Sequence, residues 1–446
     1  MNQQENYIIL GLGSNLGNKL ANLRRAFQLL KAEKKIQIIS VAPVYQSDAM
    51  VLPTQNPQNN PSFFNTAIKC KARLSPQKLL KILKLIEHKM GREKNSEKWA
   101  ARIIDIDILV HGSNLYQDEF LTIPHPGLYT RPFALFPLTD ILPQWFYFLP
   151  DHKDKNNIQN WGSRFTGEAP FHTKQIANRI DTPIMYGILN ITPDSFSDGN
   201  NFYTIESAVS QTQHLIATGA DIIDIGAEST RPGALQITPN TEWERLQPTL
   251  IALHKQVDLN YKKISLDTKN AITAKRAIDE FKIHIVNDVT AGYDKDMLAL
   301  IAHSGVKYIF MHSLTVPPQH EKVVARNTNI ISELLAWAQT KIAMYLDVGI
   351  KLEQLIFDPG IGFGKSQEQS LLIVKYIKEF KQLPVPILLG HSRKSFLQLL
   401  TNAQAKERDF ATAAMAQHLK NSGVDYLRVH NVGMCLESIK YEESLR

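Results

Sequence analysis

MYGILN at residues 185–190 is the first of eight short apolar runs that recur through the second half of the chain. The other seven runs are DIIDIG (221–226), KISLD (263–267), HIVND (284–288), YIFMH (308–312), QLIFD (354–358), PILLG (386–390) and DYLRVH (425–430). Segments with a helical spacing of apolar residues separate these runs, as in a chain of strand–helix units. Eight such units predict an α/β domain, a (β/α)8 TIM barrel, over residues 182–446.

Each run ends in a polar side chain or is followed by one. These polar residues are Asn190, Glu228, Asp267, Asn287, His312, Asp358, Lys394 and Arg428. The reactive groups of a TIM barrel gather at the carboxyl ends of its strands, so we expect these side chains to form one active site. Ordinary loop polarity explains one or two such ends well, but it explains all of them poorly.

Length and composition limit the kind of protein. A chain of 446 residues is too long for one ordinary core, so we expect two or three domains. The net charge of +7 favours anionic small molecules, and the lack of long runs of like charge argues against a nucleic-acid partner. Cys70 and Cys435 lack metal-ligand spacing and fit a reducing compartment. No stretch has the pattern of a signal peptide or a membrane helix, so we expect a cytoplasmic location and no membrane partner.

The first 150 residues alternate strand and helix patterns in the order β-α-β-β-α-β, which predicts a ferredoxin-like α+β domain over residues 1–150. The predicted strands are YIILGLG (7–13), IQIISVAPVY (36–45), FFNTAIKCKARL (63–74) and IIDIDILV (103–110). Helices are predicted over residues 17–31 and 76–90, the second capped by Ser75. The polar residues 151–181 are predicted to form a linker to the barrel.

Two carboxylates, Asp105 and Asp107, lie two residues apart in the fourth predicted strand. Because strand side chains alternate, both carboxylates share one face. Like charges on one face repel unless a cation neutralises them, and oxygen ligands favour Mg2+. The preceding loop is basic and carries Arg92, Lys94, Lys98, Trp99 and Arg102. Such a set suits phosphate groups and one flat ring, and a solvated charged turn is the alternative.

The first domain resembles the 6-hydroxymethyl-7,8-dihydropterin pyrophosphokinase family. The resemblance rests on GLGSNLGN (11–18), FFNTA (63–67), GREKNSEKWAARIIDIDILV (91–110) and PHPGLYTRPFALFPL (124–138). It implies transfer of a pyrophosphoryl group from ATP to the pterin hydroxymethyl group, with Mg2+ held by Asp105 and Asp107 and with Arg92 assisting. The implied pterin site consists of Phe63, Asn65 and Phe133. The implied ATP contacts are Glu87, Lys94, Lys98, Trp99, Arg102, His125 and Arg131.

Three departures from this family's pattern concern the nucleotide. Lys94 and Lys98 stand where the family often has arginines, and lysine keeps the charge but loses bidentate geometry. Ala100-Ala101 replaces a Gly-Pro pair, and Phe120 replaces an arginine found in some members. These departures bear on nucleotide affinity more than on the reaction.

Loops that follow predicted barrel strands carry further candidate residues. They are NITPDSFSD (190–198), GAESTRPG (226–233) and DPGIGFGKS (358–366). The last has Pro359 in place of the first glycine of a P-loop, which excludes a Walker A site. Backbone amides around Ser395 suit a carboxylate at a helix N-terminus. Asp267 and Asp358 are placed to read the donor edge of a pterin-like ring, and helix capping is the alternative for each.

The barrel resembles the dihydropteroate synthase family. The motifs are GILNITPDSFSDG (187–199), GADIIDIGAESTRPGA (219–234), ISLDT (264–268), IVNDV (285–289), MHS (311–313), IFDPGIGFGK (356–365), LLGHSRKS (388–395) and LRVHNV (427–432). The resemblance implies condensation of p-aminobenzoate with dihydropterin pyrophosphate, release of pyrophosphate, and a target for sulfonamides. It also allows a homodimer formed through the barrel. The departures Ala227 and His391 remove no charged group.

The same resemblance assigns barrel residues to three ligands. The implied pterin contacts are Asp267, Asn287, Asp358 and Lys394. The implied contacts of the leaving pyrophosphate are Asn190 (through Mg2+), Thr230, Arg231, Arg428 and His430. The implied p-aminobenzoate contacts are Phe363, Ser392 and Ser395. Of these residues, Asp267, Asp358, Lys394 and Arg428 are expected to be catalytic, as are Asp105, Asp107 and Arg92 in the first domain.

Together the two resemblances predict a bifunctional transferase of folate biosynthesis, whose first domain makes the substrate of the second. One alternative is the pterin-binding barrel of a corrinoid-linked methyltransferase, but that class lacks the paired SRKS and ESTRPG motifs. A second alternative is a barrel that binds pterin without catalysis, and the intact Lys394 and Arg428 argue against it.

Overall fold

The computed structural model describes residues 7–48, 61–92, 101–112, 114–129, 132–141, 173–176, 180–192, 204–229, 233–257, 259, 263–319 and 321–444. The chain divides into two compact units, Met1–Thr182 and Pro183–Arg446, and each unit has its own apolar core. Within the described residues, no helix is long and apolar enough to cross a membrane.

The first unit is built on a six-stranded sheet. Its elements are β1 (Ile8–Ser14), α1 (Lys19–Ala32), β2 (Gln37–Val41), β3 (Val44–Ser47), β4 (Phe63–Lys71), α2 (Pro76–Lys89), β5 (Asp105–His111), β6 (Tyr116–Gln117), β7 (Thr122–Ile123), α3 (Pro132–Ile141) and β8 (Thr173–Ile176). The strand order is β5-β1-β4-β3-β8, with β2 also paired to β4. The pairs of β1 with β4 and β5 are antiparallel, which confirms the predicted α+β domain.

The predicted strand 36–45 divides into β2 and β3, and both pair with β4. The break falls at Ala42-Pro43, because a proline has no N–H to donate to the ladder. The Ala42 N–H donates instead to the Ala67 carbonyl at 2.8 Å.

The predicted linker is partly ordered within the first unit. Strand β8 lies inside residues 151–181 and pairs antiparallel with β3 at the sheet edge. Ile180, just beyond it, is buried in the apolar core of the same unit. Strand β8 and Ile180 therefore contribute to the first unit, which the polar composition of this stretch does not reveal.

Two local predictions place the first site. Helix α2 begins after Ser75, whose Oγ accepts from the Lys78 N–H, and Pro76 occupies the first turn, where a missing N–H costs nothing. On β5, Ile106 and Ile108 are buried in the core beneath the helices. Alternation therefore turns Asp105 and Asp107 to the opposite face.

The second unit is an eight-stranded parallel barrel. Its elements are β9 (Ile184–Asn190), α4 (Ile205–Ala217), β10 (Ile222–Gly226), α5 (Pro239–Gln256), β11 (Lys263–Asp267), α6 (Ala271–Phe281), β12 (Ile285–Asp288), α7 (Lys295–Ser304), β13 (Lys307–Met311), α8 (Ile330–Asp347), β14 (Leu355–Asp358), α9 (Gln367–Lys375), β15 (Leu388–Leu389), α10 (Asp409–Asn421), β16 (Tyr426–Val429) and α11 (Val432–Ser444). A bridge between Phe357 and Ile387 joins β14 to the chain before β15 and closes the barrel. All eight apolar runs are strands, so the predicted TIM barrel is confirmed.

The strand register brings polar residues to one level of the barrel. Gly226 pairs with both Asn190 and Asp267, and Asp267 pairs in turn with Asn287. A separate apolar cluster that includes Tyr186 and Ile309 fills the barrel interior nearer the strand starts. The carboxyl end is therefore the polar end, as the barrel prediction requires.

Candidate active sites

A cavity in the first unit lies on the face of the sheet that carries Asp105 and Asp107. Its walls include Phe63, Asn65, Arg102, Asp105, Asp107 and Phe133. The structure thus brings together the two expected metal carboxylates, the three expected pterin residues and one expected nucleotide cation.

Two glycines of β1, Gly11 and Gly13, line this cavity and lie close to neighbouring side chains. A Cβ on Gly13 would lie 2.9 Å from Asn65 Oδ1, and one on Gly11 would lie 3.1 Å from a methyl carbon of Leu109. Asn65 is fixed because its Nδ2 donates to Ser47 Oγ at 2.8 Å. Any larger residue at Gly13 would therefore have to displace a side chain that is held in place.

The two aspartates differ in charge state. Asp105 accepts from Arg92 at 2.5 Å and from Arg102 at 2.8 Å. Burial raises the pKa of Asp105, but the two guanidiniums outweigh burial and hold the pKa below its usual value. Burial and the neighbouring Asp105 raise the pKa of Asp107 to about 7. A pair that resists full ionisation is stabilised by a bound cation.

Glu87 differs from the prediction that it contacts ATP. Its side chain is 3% exposed and lies between α2 and β5. The carboxylate accepts from the Ile106 N–H at 2.7 Å and pairs with Lys84 at 2.9 Å and Arg92 at 2.8 Å. Glu87 is thus placed to hold Arg92 against the strand rather than to touch a nucleotide.

Asn15 is a site residue that the sequence patterns miss. It is buried, its Oδ1 accepts from the Arg102 N–H at 2.7 Å, and its own N–H donates to the Arg102 carbonyl at 3.2 Å. These bonds fix the backbone of Arg102 at the cavity wall. Asn15 lies in the GLGSNLGN motif, but nothing local shows that its partner is 87 residues away.

The remaining nucleotide residues are only partly described. The His125 N–H donates to the Leu109 carbonyl at 3.0 Å, which sets the turn after β7 beside β5. Phe120 is exposed on the turn between β6 and β7. The other expected ATP contacts, Lys94, Lys98, Trp99 and Arg131, lie outside the described residues.

In the barrel, a hydrogen-bond network around Arg428 on β16 includes residues of β10, β11 and β12. Its Nε donates to Asp224 Oδ2 at 2.5 Å and its Nη2 donates to Asp267 Oδ2 at 2.7 Å. Asn287 Nδ2 also donates to Asp224 Oδ2, at 3.3 Å. Asp224 is wholly buried and was not among the predicted site residues. The only signal for it is a charged residue inside an otherwise apolar strand.

The charges of this network oppose one another. Burial raises the pKa of Asp267 to about 7 in spite of the neighbouring Arg428. Burial lowers the pKa of Arg428, but Asp224 and Asp267 outweigh burial and raise it above its usual value. At neutral pH the guanidinium therefore stays charged beside an Asp267 that is only partly ionised.

A second group lies at the ends of β14 and β15. Asp358 Oδ1 accepts from the Gly360 N–H at 2.7 Å. Lys394 Nζ donates to the Ile361 carbonyl at 2.6 Å and lies 4.4 Å from the centre of the Phe363 ring. Burial raises the pKa of Asp358 and lowers the pKa of Lys394 to about 8. Expected pterin and p-aminobenzoate residues are thus neighbours.

Ser392 and His430 link the expected p-aminobenzoate and pyrophosphate residues. Ser392 Oγ lies 2.9 Å from His430 Nδ1 and accepts from the His430 N–H at 3.2 Å. Ser395 begins a short 3-10 helix, Ser395–Leu399. Arg393 turns instead to Asp409, to which it donates two bonds at 2.7 and 2.8 Å.

The other polar strand ends have different surroundings. Glu228 forms an ion pair with Lys269 at 2.8 Å, and His312 contacts Lys365. Asn190 is half-buried at the end of β9. Thr230 and Arg231 lie outside the described residues.

Comparison with known proteins matches both units. Residues 9–143 match the model of the family described as 7,8-dihydro-6-hydroxymethylpterin-pyrophosphokinase, and residues 186–430 match the pterin binding enzyme family. The chain is 35% identical over 430 residues to the folate synthesis bifunctional protein of Chlamydia caviae, which covers 96% of this chain and 95% of the relative. It is 34% identical over 467 residues to the mitochondrial folate synthesis bifunctional protein of Pisum sativum. This alignment covers 98% of this chain and 89% of the relative.

Solved structures give the same picture. A dihydropteroate synthase from Anaplasma phagocytophilum with bound 6-hydroxymethylpterin-monophosphate is 35% identical, has a TM-score of 0.54, and covers 59% of this chain and 100% of its own. A dihydropteroate synthase from Yersinia pestis, solved as a complex with a sulfonamide drug, is 31% identical and has a TM-score of 0.55. The match covers 59% of this chain and 94% of the Yersinia pestis chain.

Proposed function

The chain belongs to the family of bifunctional folate synthesis proteins, and from this premise we propose which residues carry each of its two reactions. It is a transferase with 7,8-dihydro-6-hydroxymethylpterin pyrophosphokinase activity in the first unit and dihydropteroate synthase activity in the barrel. The full-length relatives and both family matches favour this function over a methyltransferase barrel or a non-catalytic pterin binder.

In the first unit, the pterin ring lies between Phe63 and Phe133 and hydrogen-bonds to Asn65. The shared cavity supports this assignment, as does the bond that holds Asn65 to Ser47. Gly11 and Gly13 also line the cavity, and the absence of a side chain at each lets a flat ring approach the backbone.

Asp105 and Asp107 are the residues that would hold Mg2+. Both ligands are carboxylates on one strand face, and the raised pKa of Asp107, caused by burial and by the neighbouring Asp105, supports this assignment because a bound cation would favour its ionised form. Among the described residues, no group of three or more His, Cys, Asp or Glu could form a protein-only metal cage. Mg2+ typically takes one or two carboxylates and completes its shell with water and substrate phosphates, and when bound it neutralises phosphate oxygens.

Arg92 and Arg102 are the fixed cations of this site. Glu87 and Asp105 hold Arg92, while Asn15 and Asp105 hold Arg102. Cations fixed in this way can stabilise the charge that develops as the pterin hydroxyl attacks the β-phosphate and AMP leaves. The remaining proposed ATP contacts are Lys94, Lys98, Trp99, His125 and Arg131.

In the barrel, Asp267, Asn287, Asp358 and Lys394 bind the pterin, and Arg428 serves the leaving pyrophosphate. As the C–O bond breaks, positive charge develops on the pterin methylene, which the Asp267 and Asp358 carboxylates stabilise. The p-aminobenzoate amine then forms the new C–N bond and needs orientation more than deprotonation. Asp224 keeps the Arg428 guanidinium charged and aimed into the site.

The other assignments of barrel residues to ligands follow from the resemblance to the dihydropteroate synthase family. Thr230, Arg231 and His430 contact pyrophosphate with Arg428, and Asn190 would share Mg2+ with it. Phe363, Ser392 and Ser395 contact p-aminobenzoate, supported by the packing of Phe363 against Lys394 and by the contact between Ser392 and His430.

We also propose a cytoplasmic location and a homodimer formed through the barrel. The two cysteines, Cys70 and Cys435, are buried and form no disulfide, which suits a reducing compartment. Large apolar side chains exposed on the barrel, including Phe410, support the dimer.

One observation carries this assignment: each unit gathers its predicted catalytic residues into its own site. The test supplies hydroxymethyldihydropterin, ATP, Mg2+ and p-aminobenzoate and measures dihydropteroate and AMP. Lys394→Met should halt the sequence at dihydropterin pyrophosphate. Asp107→Asn should form no dihydropterin pyrophosphate. Adding dihydropterin pyrophosphate to this variant should restore the formation of dihydropteroate. Wild-type protein that forms AMP but no dihydropteroate would contradict the assignment of the barrel.

A further inference from the structure

Lys365 is a buried lysine that the two reactions leave without a role. It lies in the loop after β14 and is 6% exposed. Its Nζ donates to the His312 carbonyl at 2.7 Å and lies 2.7 Å from His312 Nδ1. Burial of an ammonium group costs free energy unless the group is hydrogen-bonded and compensated by charge. The hydrogen bonds to His312 offset part of this cost for Lys365.

His312, the partner of Lys365, is held on several sides at the end of β13. Its N–H donates to the Asp358 carbonyl at 3.1 Å, and its ring packs edge-on against Trp337 at 4.8 Å. With Lys365 protonated, Nδ1 must accept, so His312 is neutral; burial and Lys365 lower the pKa of His312 to about 3. Lys365 therefore joins its loop to a fixed point.

The loop that Lys365 ties down carries the synthase site. It begins at Asp358, and at Gly360 it passes so close to His312 that an added Cβ would lie 2.0 Å from the His312 carbonyl oxygen. It then presents the Ile361 carbonyl to Lys394 and the Phe363 ring beneath it. A shift of this loop would move proposed pterin and p-aminobenzoate contacts together.

Lys365 and Asp358 also interact electrostatically. Burial lowers the pKa of Lys365 well below its usual value, and the Asp358 carboxylate opposes this shift by favouring the charged ammonium. Burial raises the pKa of Asp358, and the cations that oppose this are Lys394 after β15, Lys365 after β14 and Arg428 on β16. As a pterin contact, Asp358 can accept from ring N–H groups with both of its oxygens only when it is ionised. Loss of one of three nearby cations should therefore favour its protonated form.

We propose that Lys365 is a positioning residue of the synthase reaction: through His312 it clamps the loop 358–366, and it supplies positive charge beside Asp358. The inference rests on the proposed pterin site. The Lys365 side chain has two effects, its hydrogen bonds to His312 and its charge near Asp358. His312→Gln removes the contact with the imidazole and keeps the charge, whereas Lys365→Met removes both the hydrogen bonds and the charge.

The test measures kcat/KM for dihydropterin pyrophosphate against pH, from about 5.5 to about 9, in the full chain. Lys365→Met should lower kcat/KM about tenfold or more at neutral pH and move the acid limb to higher pH, because both the clamp and the charge are lost. His312→Gln should lower kcat/KM but leave the limb in place, because the charge remains. Lys365→Arg should keep the limb near its wild-type position. The exposed Lys378→Met is the matched control and should change neither quantity.

Calorimetry of each variant reports whether the barrel remains folded. If Lys365→Met does not fold, Lys365→Arg and His312→Gln test the proposal instead. An acid limb of the pH profile that is displaced from its wild-type position in both variants would overturn the proposal. An unmoved acid limb in folded Lys365→Met would also overturn it. Asp358→Asn distinguishes this outcome from a failure of the proposed function. Full synthase activity in Asp358→Asn would show that Asp358 does not bind the pterin.

Discussion

At the scale of single residues, both sites pair a buried aspartate of raised pKa with a neighbouring aspartate bound to arginine. In the first unit Asp107 lies beside the Arg92–Asp105 pair, and in the barrel Asp267 shares Arg428 with Asp224. In each case burial opposes ionisation, so a cationic ligand or a ring N–H donor can stabilise the carboxylate on binding. The raised pKa of each aspartate lowers the stability of the ligand-free protein at neutral pH, and a ligand that favours the ionised carboxylate recovers this free energy on binding.

The first prediction concerns Asp107 in metal-free protein. Its folded pKa of about 7 lies above the value of an unfolded aspartate, about 3.9. The unfolded state therefore loses its proton first, and the first unit should lose stability, on the order of 3 kcal/mol, as the pH rises from about 4 to about 7. Asp107→Asn should abolish this loss, as measured by hydrogen exchange of the β5 amides with EDTA present.

Two controls accompany this experiment. Mg2+ should restore stability at neutral pH in the wild-type protein but not in Asp107→Asn. The replacement Glu119→Gln, at an exposed acid between β6 and β7, should keep the wild-type pH dependence. Equal slopes for wild type and Asp107→Asn would show that the pKa of Asp107 is not raised.

The second prediction concerns Asp224. Asp224→Asn keeps the shape of the side chain but removes the charge that anchors Arg428. The loss of one charge-assisted hydrogen bond, about 2 kcal/mol, should lower synthase kcat/KM about 30-fold. Pyrophosphokinase activity of the same protein should not change. Asp347→Asn, at the exposed end of α8, is the control, and equal synthase activity in both variants would remove Asp224 from the site.

At the scale of elements, β8 sets where the first unit ends. It adds a strand beside β3, and Ile180 behind it is almost wholly buried in the same core. A fragment of residues 1–182 should therefore be more stable than a fragment of residues 1–155, by at least about 2 kcal/mol from the burial of Ile180 alone. Urea denaturation of the two fragments measures this difference.

The same fragments test whether the first unit works by itself. Residues 1–182 should form AMP and dihydropterin pyrophosphate without the barrel, because every proposed pyrophosphokinase residue lies within them. The replacement Ile180→Ala in the longer fragment should reduce its stability toward that of the shorter one. Equal stability of the fragments 1–155 and 1–182 would show that β8 and Ile180 add nothing to this core.

At the scale of the whole molecule, the barrel carries a candidate contact between two copies. Leu399, Leu400 and Phe410 are 42%, 55% and 80% exposed. Phe410→Glu should convert a dimer into a monomer in sedimentation, because an ionised carboxylate cannot be buried in an apolar interface without a large cost. Leu115→Glu, at an exposed site of the first unit, should leave the dimer intact. A wild-type protein that sediments as a monomer would rule out the dimer.

Features that depend on near neighbours along the chain follow from the amino-acid sequence alone. Alternation placed Asp105 and Asp107 on one face of β5, and the repeated apolar runs predicted the eight barrel strands with polar residues at their carboxyl ends. These features follow from the periods of strand and helix, which a short window of sequence contains. The assignment of the chain to its family rests on motifs of the same local kind.

Contacts between residues that are distant along the chain depend on the assembled fold. The pairs Asp224–Arg428, Asn15–Arg102 and Lys365–His312 are separated by 204, 87 and 53 positions. Neither partner of such a pair signals the other, because the contact forms only when the barrel closes or the sheet assembles. The same reason explains Glu87, which a motif assigns to the nucleotide and packing assigns to Arg92, and β8, whose polar residues pair only because β3 presents a free edge.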